Sequence, residues 1–339
     1  MSDESLPVRL PPRLASLTLT PFPSIATKLL ALFADDASNL SSIAACIATD
    51  VTLSARLIKR ANAADQPHYC DIRDVLQATV TLGLDRTREV SLATALATYA
   101  RYAFQSSVLR PCWDHTLACA VIASKLARLW GLRPLECYTT GLFHDIGRLA
   151  LLTAYPYEYE LILKGSDGEP EVLIAAEAAR FGMDHTAVGS WLASRWCLPE
   201  SIVEAIARHH ERIDGSLEEL TVIKVACRMA DLLEFAVTRS SKRPELGEIT
   251  EALPEWTRKQ VAADLKNIRD AVAIEVRVFD NESGSRSALF ASVEESSRPQ
   301  EGVRDKTEGR EIHINLPFLG VAFALAALAA SVAVLWVQH

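Results

Sequence analysis

Glycine is scarce, with 14 in 339 residues, and no glycine-rich loop of the kind that cradles a phosphate occurs. Nucleotide binding through such a loop is therefore not expected. Strand signals are missing as well: there is no alternating Val/Ile/Thr run and no Asn-Gly or Asp-Gly turn between such runs. The seven cysteines (Cys46, Cys70, Cys112, Cys119, Cys137, Cys197 and Cys227) are odd in number and never form a C-x-x-C pair. That spacing excludes a disulfide framework or a zinc knuckle and suits small core residues in a reducing compartment. Basic residues form no stripe. With 35 Lys+Arg against 43 Asp+Glu and a net charge of −8, no nucleic-acid partner is expected, because phosphate neutralisation needs clustered cations. The amino terminus, MSDESLPVRL, has no apolar stretch behind a basic one, so no secretory signal is predicted.

What is present is apolar and helical. A 49% hydrophobic and 23% charged composition excludes wholesale disorder, and the length allows one large or two medium domains. Residues 1–20 read as a Pro-rich leader. From 21 to 281, capping residues and a 3.6-residue period predict helices over 24–33, 39–48, 50–62, 71–83, 85–103, 112–130, 134–144, 156–164, 170–181, 185–197, 199–211 and 217–238. A closing helix over 254–280 carries Val261, Leu265, Ile268, Val272, Val276 and Phe279 on one stripe. That stripe is expected to pack on the domain, with a homodimer seam as the alternative. The expected class is all-α: an amino-terminal helical part (21–110), a bundle (111–240) and the closing helix.

Residues 282–315 lose the pattern to Ser, Glu, Arg and Gly and read as a flexible tether. The run 316–337, LPFLGVAFALAALAASVAVLWV, carries no charge. As a helix it would be about 33 Å long, against a hydrocarbon core of about 30 Å. It is read as a transmembrane helix, with Trp336 at the interface and only Gln338 and His339 beyond it. The expected location is the cell inner membrane, single-pass, with the soluble domain facing the cytoplasm.

The candidate chemistry lies in histidines beside acids. His144 and Asp145 form a doublet in GLFHDIGRLALL; His115 lies upstream, His185 follows Asp184, His209 and His210 are in tandem, and Asp231 sits in VACRMADLLEF. Imidazole and carboxylate are ligands that divalent transition metals prefer. Placed on one helix about 100° apart, His144 and Asp145 would both face a site between helices, and the Asp could bridge two ions. Seven such residues from five or six helices would make a site at the centre of a bundle. Each residue alone has a simpler reading: capping for His185, favourable helix-dipole cations for His209 and His210, and pairing with Arg228 for Asp231.

These blocks resemble the HD superfamily of metal-dependent phosphohydrolases, and within it the HDOD (HD-related output domain) family of bacterial signalling proteins. PFPSIATKLLALF, SSIAACIATDVTLSARLIKRANAAD and DVLQATVTLGLDRTREVSLATAL resemble its amino-terminal part. HTLACAVIASKLA, GLFHDIGRLALL, EAARFGMDHTAVGSWLASRWCLPESIVEAIARHH and VACRMADLLE resemble its HD-like helices. The resemblance implies an output module that works by protein interaction with a cytoplasmic signalling partner, without enzymatic activity. It also implies that His115, His144, Asp145 and Asp231 match the superfamily ligands, while His185, His209 and His210 match extra histidines of the HD-GYP class, which cleaves cyclic dinucleotides. One or two divalent ions, Mn, Fe or similar, would follow. The alternative function is a metal-dependent phosphohydrolase acting on a nucleotide or cyclic dinucleotide, with Asp145 as the candidate catalytic residue. Departures count against it: the Gly-Tyr-Pro is absent, Arg148 stands where HD-GYP proteins carry Lys, and Pro111 stands where they supply a further ligand.

Overall fold

The computed structural model describes Leu19, Pro21 and residues 23–296 except 36, 64–71, 167–169 and 239–242, with side chains as far as Asp280. Two compact units are present, 1–288 and 289–339; of the second, only helical backbone to Ser296 is described. The leader apart from Leu19, the end of the tether and the transmembrane helix expected at 316–337 lie outside the described residues. Among the described residues no strand occurs, and no helix is long and apolar enough to cross a membrane.

The helices are α1 (Ser24–Ala34), α2 (Leu40–Ile47), α3 (Val51–Ala63), α4 (Val75–Tyr99), α5 (Arg110–Trp130), α6 (Pro134–Phe143), α7 (Ile146–Ala154), α8 (Pro156–Gly165), α9 (Pro170–Phe181), α10 (His185–Arg195), α11 (Glu200–Arg208), α12 (Glu219–Leu232), α13 (Leu246–Thr250) and α14 (Glu255–Ser296), with a 3₁₀ turn at Arg101–Phe104. Helices α1–α3 pack on α4, and α5 packs on both α6 and α12 at the centre of the second part. The Asn39 side chain accepts from the Ser42 amide and starts α2, as a capping box should. Helix α4 opens at Asp74, which accepts from the Gln77 amide, rather than near Asp71. It breaks at Gly83, whose φ of 75° leaves the helical region, so the two helices expected here are two arms of one kinked element.

Two expectations need correction. No separate helix is predicted for 146–154, yet α7 fills that stretch. Every residue from Ile146 to Thr153 is buried, and a helix buried all round shows no amphipathic period to read. Conversely, the pattern loss at 281 does not end α14, whose backbone stays helical to Ser296. Nothing between 281 and 296 forbids this: one interior glycine costs only about 1 kcal/mol, and the first proline is Pro299.

Helix α14 is held to the bundle along its expected stripe. Val261, Ile268, Val272 and Phe279 are buried, and the Phe279 ring lies 4.9 Å from that of Trp113. Glu275 joins it to the amino-terminal part, accepting from Arg60 at 2.8 Å and from Arg86 at 2.6 Å. The closing helix thus belongs to the domain's own core.

Candidate metal centre

Local breaks in the helices bring the histidines and acids together. Helix α6 stops at Phe143, His144 is its last capping residue, and Asp145 starts α7. The doublet therefore occupies a corner between two helices, and not one helix face as expected. The corner turns on Gly147, where an added Cβ would stand 1.9 Å from the His185 carbonyl oxygen and 2.5 Å from the Gly189 amide nitrogen. Backbone of α7 and α10 is in direct contact there, which only glycine allows. His185 opens α10 behind Asp184, whose side chain does cap the helix through the Thr186 and Ala187 amides. The capping reading is thus right for Asp184, while the His185 ring turns inward and is buried. Helix α11 ends at Arg208, earlier than expected, with His209 as its C-cap; His209 is buried and His210 half-buried.

Four groups converge. One ligand atom each from Asp145, His185, His209 and His210 lies within 4.8 Å of the others. Asp145 Oδ1 is 3.4 Å from His185 Nε2 and 3.5 Å from His209 Nε2, and His185 Nε2 is 3.0 Å from His210 Nε2. Asp145 Oδ1, His144 Nε2 and His209 Nε2 are buried without a hydrogen-bond partner. An unpaired buried polar atom costs about 1–3 kcal/mol, and a bound cation is one way to supply the missing partner. Their rings are fixed from behind: His144 Nδ1 donates to the Gly141 carbonyl at 2.6 Å, and His209 Nδ1 to that of Ile206 at 2.9 Å. Such outer bonds set the tautomer that leaves Nε2 free to ligate.

Charge agrees. Burial pushes His144 and His210 well below the ordinary imidazole range and His209 below it, against the pull of Asp145. All three are held neutral, as metal ligation requires. Burial alone would raise the Asp145 carboxyl, but the Arg148 guanidinium and the neighbouring imidazoles hold it well below the carboxylate range. A divalent cation fits this donor set of neutral imidazoles around one carboxylate.

Two residues that the motifs do not point to complete the surroundings. Glu177 on α9 accepts from both the backbone amide of His185 at 2.8 Å and its Nδ1 at 2.6 Å, and Tyr159 donates to its other oxygen. Burial opposes its ionisation, yet His185 and Arg148 lower it to about 2. Arg148 donates from Nε to Asp145 Oδ2 at 2.8 Å, and its Nη2 lies 3.1 Å from His185 Nε2. The second overlooked residue is Cys227, beside His115. The signal for both was spacing: Glu177 faces the start of α10 from EAARFGMDH, and Cys227 precedes Asp231 by four residues, one turn along the same face.

His115 and Asp231 lie at the other side of the centre. His115 Nδ1 donates to the Phe235 carbonyl at 2.9 Å and is 3.4 Å from Asp231 Oδ1. Asp231 thus approaches the back of the His115 ring, and its carboxylate belongs to neither group of ligand atoms within 4.8 Å of one another. His115, Arg148, His210, Cys227 and Asp231 share a cavity of about 30 Å³, room for about one water molecule.

The model of the HDOD domain family matches residues 19–212. The chain belongs to the HDOD family. Among solved structures, an HDOD domain protein of unknown function from Geobacter sulfurreducens superposes with a TM-score of 0.58 at 24% identity, covering 75% of this chain and 92% of that one. A protein provisionally called a phosphohydrolase, from Shewanella amazonensis SB2B, gives 0.53 at 19%, covering 75% and 93%. These likenesses establish the HDOD fold. Among curated sequences, an uncharacterised protein of Treponema pallidum (strain Nichols) is 27% identical over 179 residues, 51% of this chain and 34% of that protein. Ribonuclease Y of Acholeplasma laidlawii is 28% identical over 188 residues, 53% of this chain and 28% of that enzyme. This HDOD chain thus matches about a third or less of those proteins' lengths.

Proposed function

We propose that this HDOD protein is a membrane-tethered signalling output module that acts by binding a cytoplasmic protein partner, hydrolyses no phosphodiester, and holds a divalent metal ion at Asp145, His185, His209 and His210 as part of its folded core. One observation carries the non-hydrolytic reading: the placement of Arg148. Two-ion hydrolysis needs a carboxylate free to bridge and an activated hydroxide between the ions. Here Oδ2 of Asp145 is taken by Arg148 Nε, and Arg148 Nη2 stands 3.1 Å from His185 Nε2. A fixed guanidinium stands where a further positive ion would have to come close. A bound ion would supply Lewis acidity; in this reading its use is to tie α7, α10 and the end of α11 together.

The tether and the run 316–337 would keep the domain at the cytoplasmic face of the inner membrane, where an interaction module meets its partner at raised local concentration. The second reading, a phosphohydrolase, draws on the same unpartnered Nε2 and Oδ1 atoms. The discriminating experiment incubates the full chain in detergent micelles, loaded with Mn, Fe or Zn, with a cyclic dinucleotide and with bis(p-nitrophenyl) phosphate. No turnover above an Asp145→Asn control is expected. Steady hydrolysis abolished by that substitution would replace the first reading with the second. Membrane association is checked by fractionation: the full chain should resist a carbonate wash, and a chain ending at 315 should not.

A further inference from the structure

Cys227 is a ligand-type side chain at the centre that the preceding reading leaves unused, as are His115 and His144. It lies on α12 with its Sγ 3.5 Å from His115 Nε2. His144 Nε2 completes the group: one ligand atom each from His115, His144 and Cys227 falls within 4.8 Å of the other two. All three residues are buried, and His144 Nε2 has no hydrogen-bond partner. Both rings are fixed from behind through Nδ1, by the Phe235 and Gly141 carbonyls, so their Nε2 atoms face the sulfur. The three donors come from α5, the α6–α7 corner and α12, which are packed elements and not loops.

The geometry points to a second, thiolate-containing metal position made by His115, His144 and Cys227, selective for zinc or a similarly soft divalent ion. Zn–N bonds of about 2.0–2.1 Å and Zn–S bonds of about 2.3 Å place tetrahedral ligand atoms about 3.3–3.6 Å apart. The His115 to Cys227 separation already equals that. The adjoining cavity, which His115 and Cys227 line, has room for a single water as fourth ligand. A sulfur donor disfavours Mg, Ca and Mn and favours Zn, so Cys227 sets the metal class that the nitrogen and oxygen donors alone leave open. Because Arg148 engages Oδ2 of Asp145, the oxygen nearer to His144, that oxygen is not free to bridge the two positions. The inference rests on reading the core as a metal centre, but it uses none of the four residues assigned to the first position.

The test strips the full chain in detergent micelles with a chelator, reloads it with Co(II), and reads the near-ultraviolet sulfur-to-cobalt charge-transfer band. Zinc content per chain is measured in parallel for wild type, Cys227→Ser, Cys227→Ala and Asp145→Asn. Expected are a sulfur band in wild type and in Asp145→Asn, its absence from both Cys227 variants, and loss of one zinc equivalent in each of those. Cobalt bound without a sulfur band, or unchanged zinc in Cys227→Ser, would overturn the inference and leave the thiol as a weak donor to His115. A sulfur band in Asp145→Asn with no equivalent lost there would instead overturn the carboxylate position and leave this one standing. Uptake of no metal by wild type overturns both. Should the Cys227 variants lose helicity by circular dichroism, the presence or absence of the wild-type band decides.

Discussion

Arg148 donates from Nε to Asp145 Oδ2 at 2.8 Å, one turn along α7, and both side chains are almost wholly buried. One carboxylate is therefore divided between an internal cation on one oxygen and the imidazole cluster on the other. Breaking a buried pair of this kind typically costs about 3–5 kcal/mol, because the remaining charge is stranded. Arg148→Met should accordingly lower the melting temperature sharply in chelator. It should then recover more on adding Zn or Mn than wild type does, since an incoming ion no longer competes with the guanidinium. Calorimetry with and without metal measures this; a variant as stable as wild type in chelator contradicts it.

Gly147 should not tolerate a methyl group. A Cβ there meets the His185 carbonyl oxygen at 1.9 Å and the Gly189 backbone, neither of which can rotate away. Gly147→Ala is expected to cost about 1–3 kcal/mol or more by forcing α7 from α10, and to weaken metal uptake by separating Asp145 from His185. Gly165→Ala, where a Cβ meets nothing within 4 Å, is the control and should stay within about 0.5 kcal/mol of wild type. Equal denaturation midpoints for the two variants would refute the close-contact account.

Glu177 is expected to act through His185. Glu177→Gln keeps the side-chain volume but weakens the acceptor for the His185 amide and Nδ1. Loss of such an outer partner commonly reduces metal affinity by about 10–100-fold. Competition with a chromophoric chelator should show that drop with helicity retained; unchanged affinity would make Glu177 a purely structural acid.

The all-α class and the helices with one polar face were legible because a half-buried helix writes its period into the sequence. Val261, Ile268, Val272 and Phe279 illustrate this, and all are buried. Helix α7 was not legible because it is buried all round, Arg148 included, and so has no polar face. The candidate residues were visible as imidazoles beside acids, but their arrangement depended on breaks. The doublet at the α6–α7 corner and the early end of α11 before His209 set which atoms meet, and helical spacing carries no trace of them. Cys227 stayed hidden because it faces His115 from a helix distant in sequence; Glu177 is close to His185 in sequence, but the turn between α9 and α10 decides that the two meet.

The neutral histidines predict an acid limit in the metal-free protein. Burial lowers His144, His209 and His210 in the folded state, while the unfolded chain takes up protons near pH 6.5. Below that value the unfolded state binds more protons, so stability is full above about pH 6.5 and falls as pH drops beneath it. Each group contributes up to about 1.4 kcal/mol per pH unit. Asp145 and Glu177, both lowered, add their loss only at more acid pH. Denaturant midpoints between pH 7.5 and 5 should decline from about 6.5 downward; a flat profile would mean that the rings take up protons in the native state as readily as in the unfolded chain.

The central claim is that the buried His/Asp cluster is a metal centre. The most direct measurement is elemental analysis of the full chain purified without chelator, beside Asp145→Asn and His209→Ala, with the thermal response to added Zn, Mn and Fe. The account predicts a divalent ion in wild type at near-stoichiometric level and its loss or depletion in both variants. It also predicts a stabilisation of about 2.7 kcal/mol when free metal reaches 100 times its dissociation constant. A wild-type protein that carries no ion, takes none up and melts at the same temperature with or without metal would contradict it.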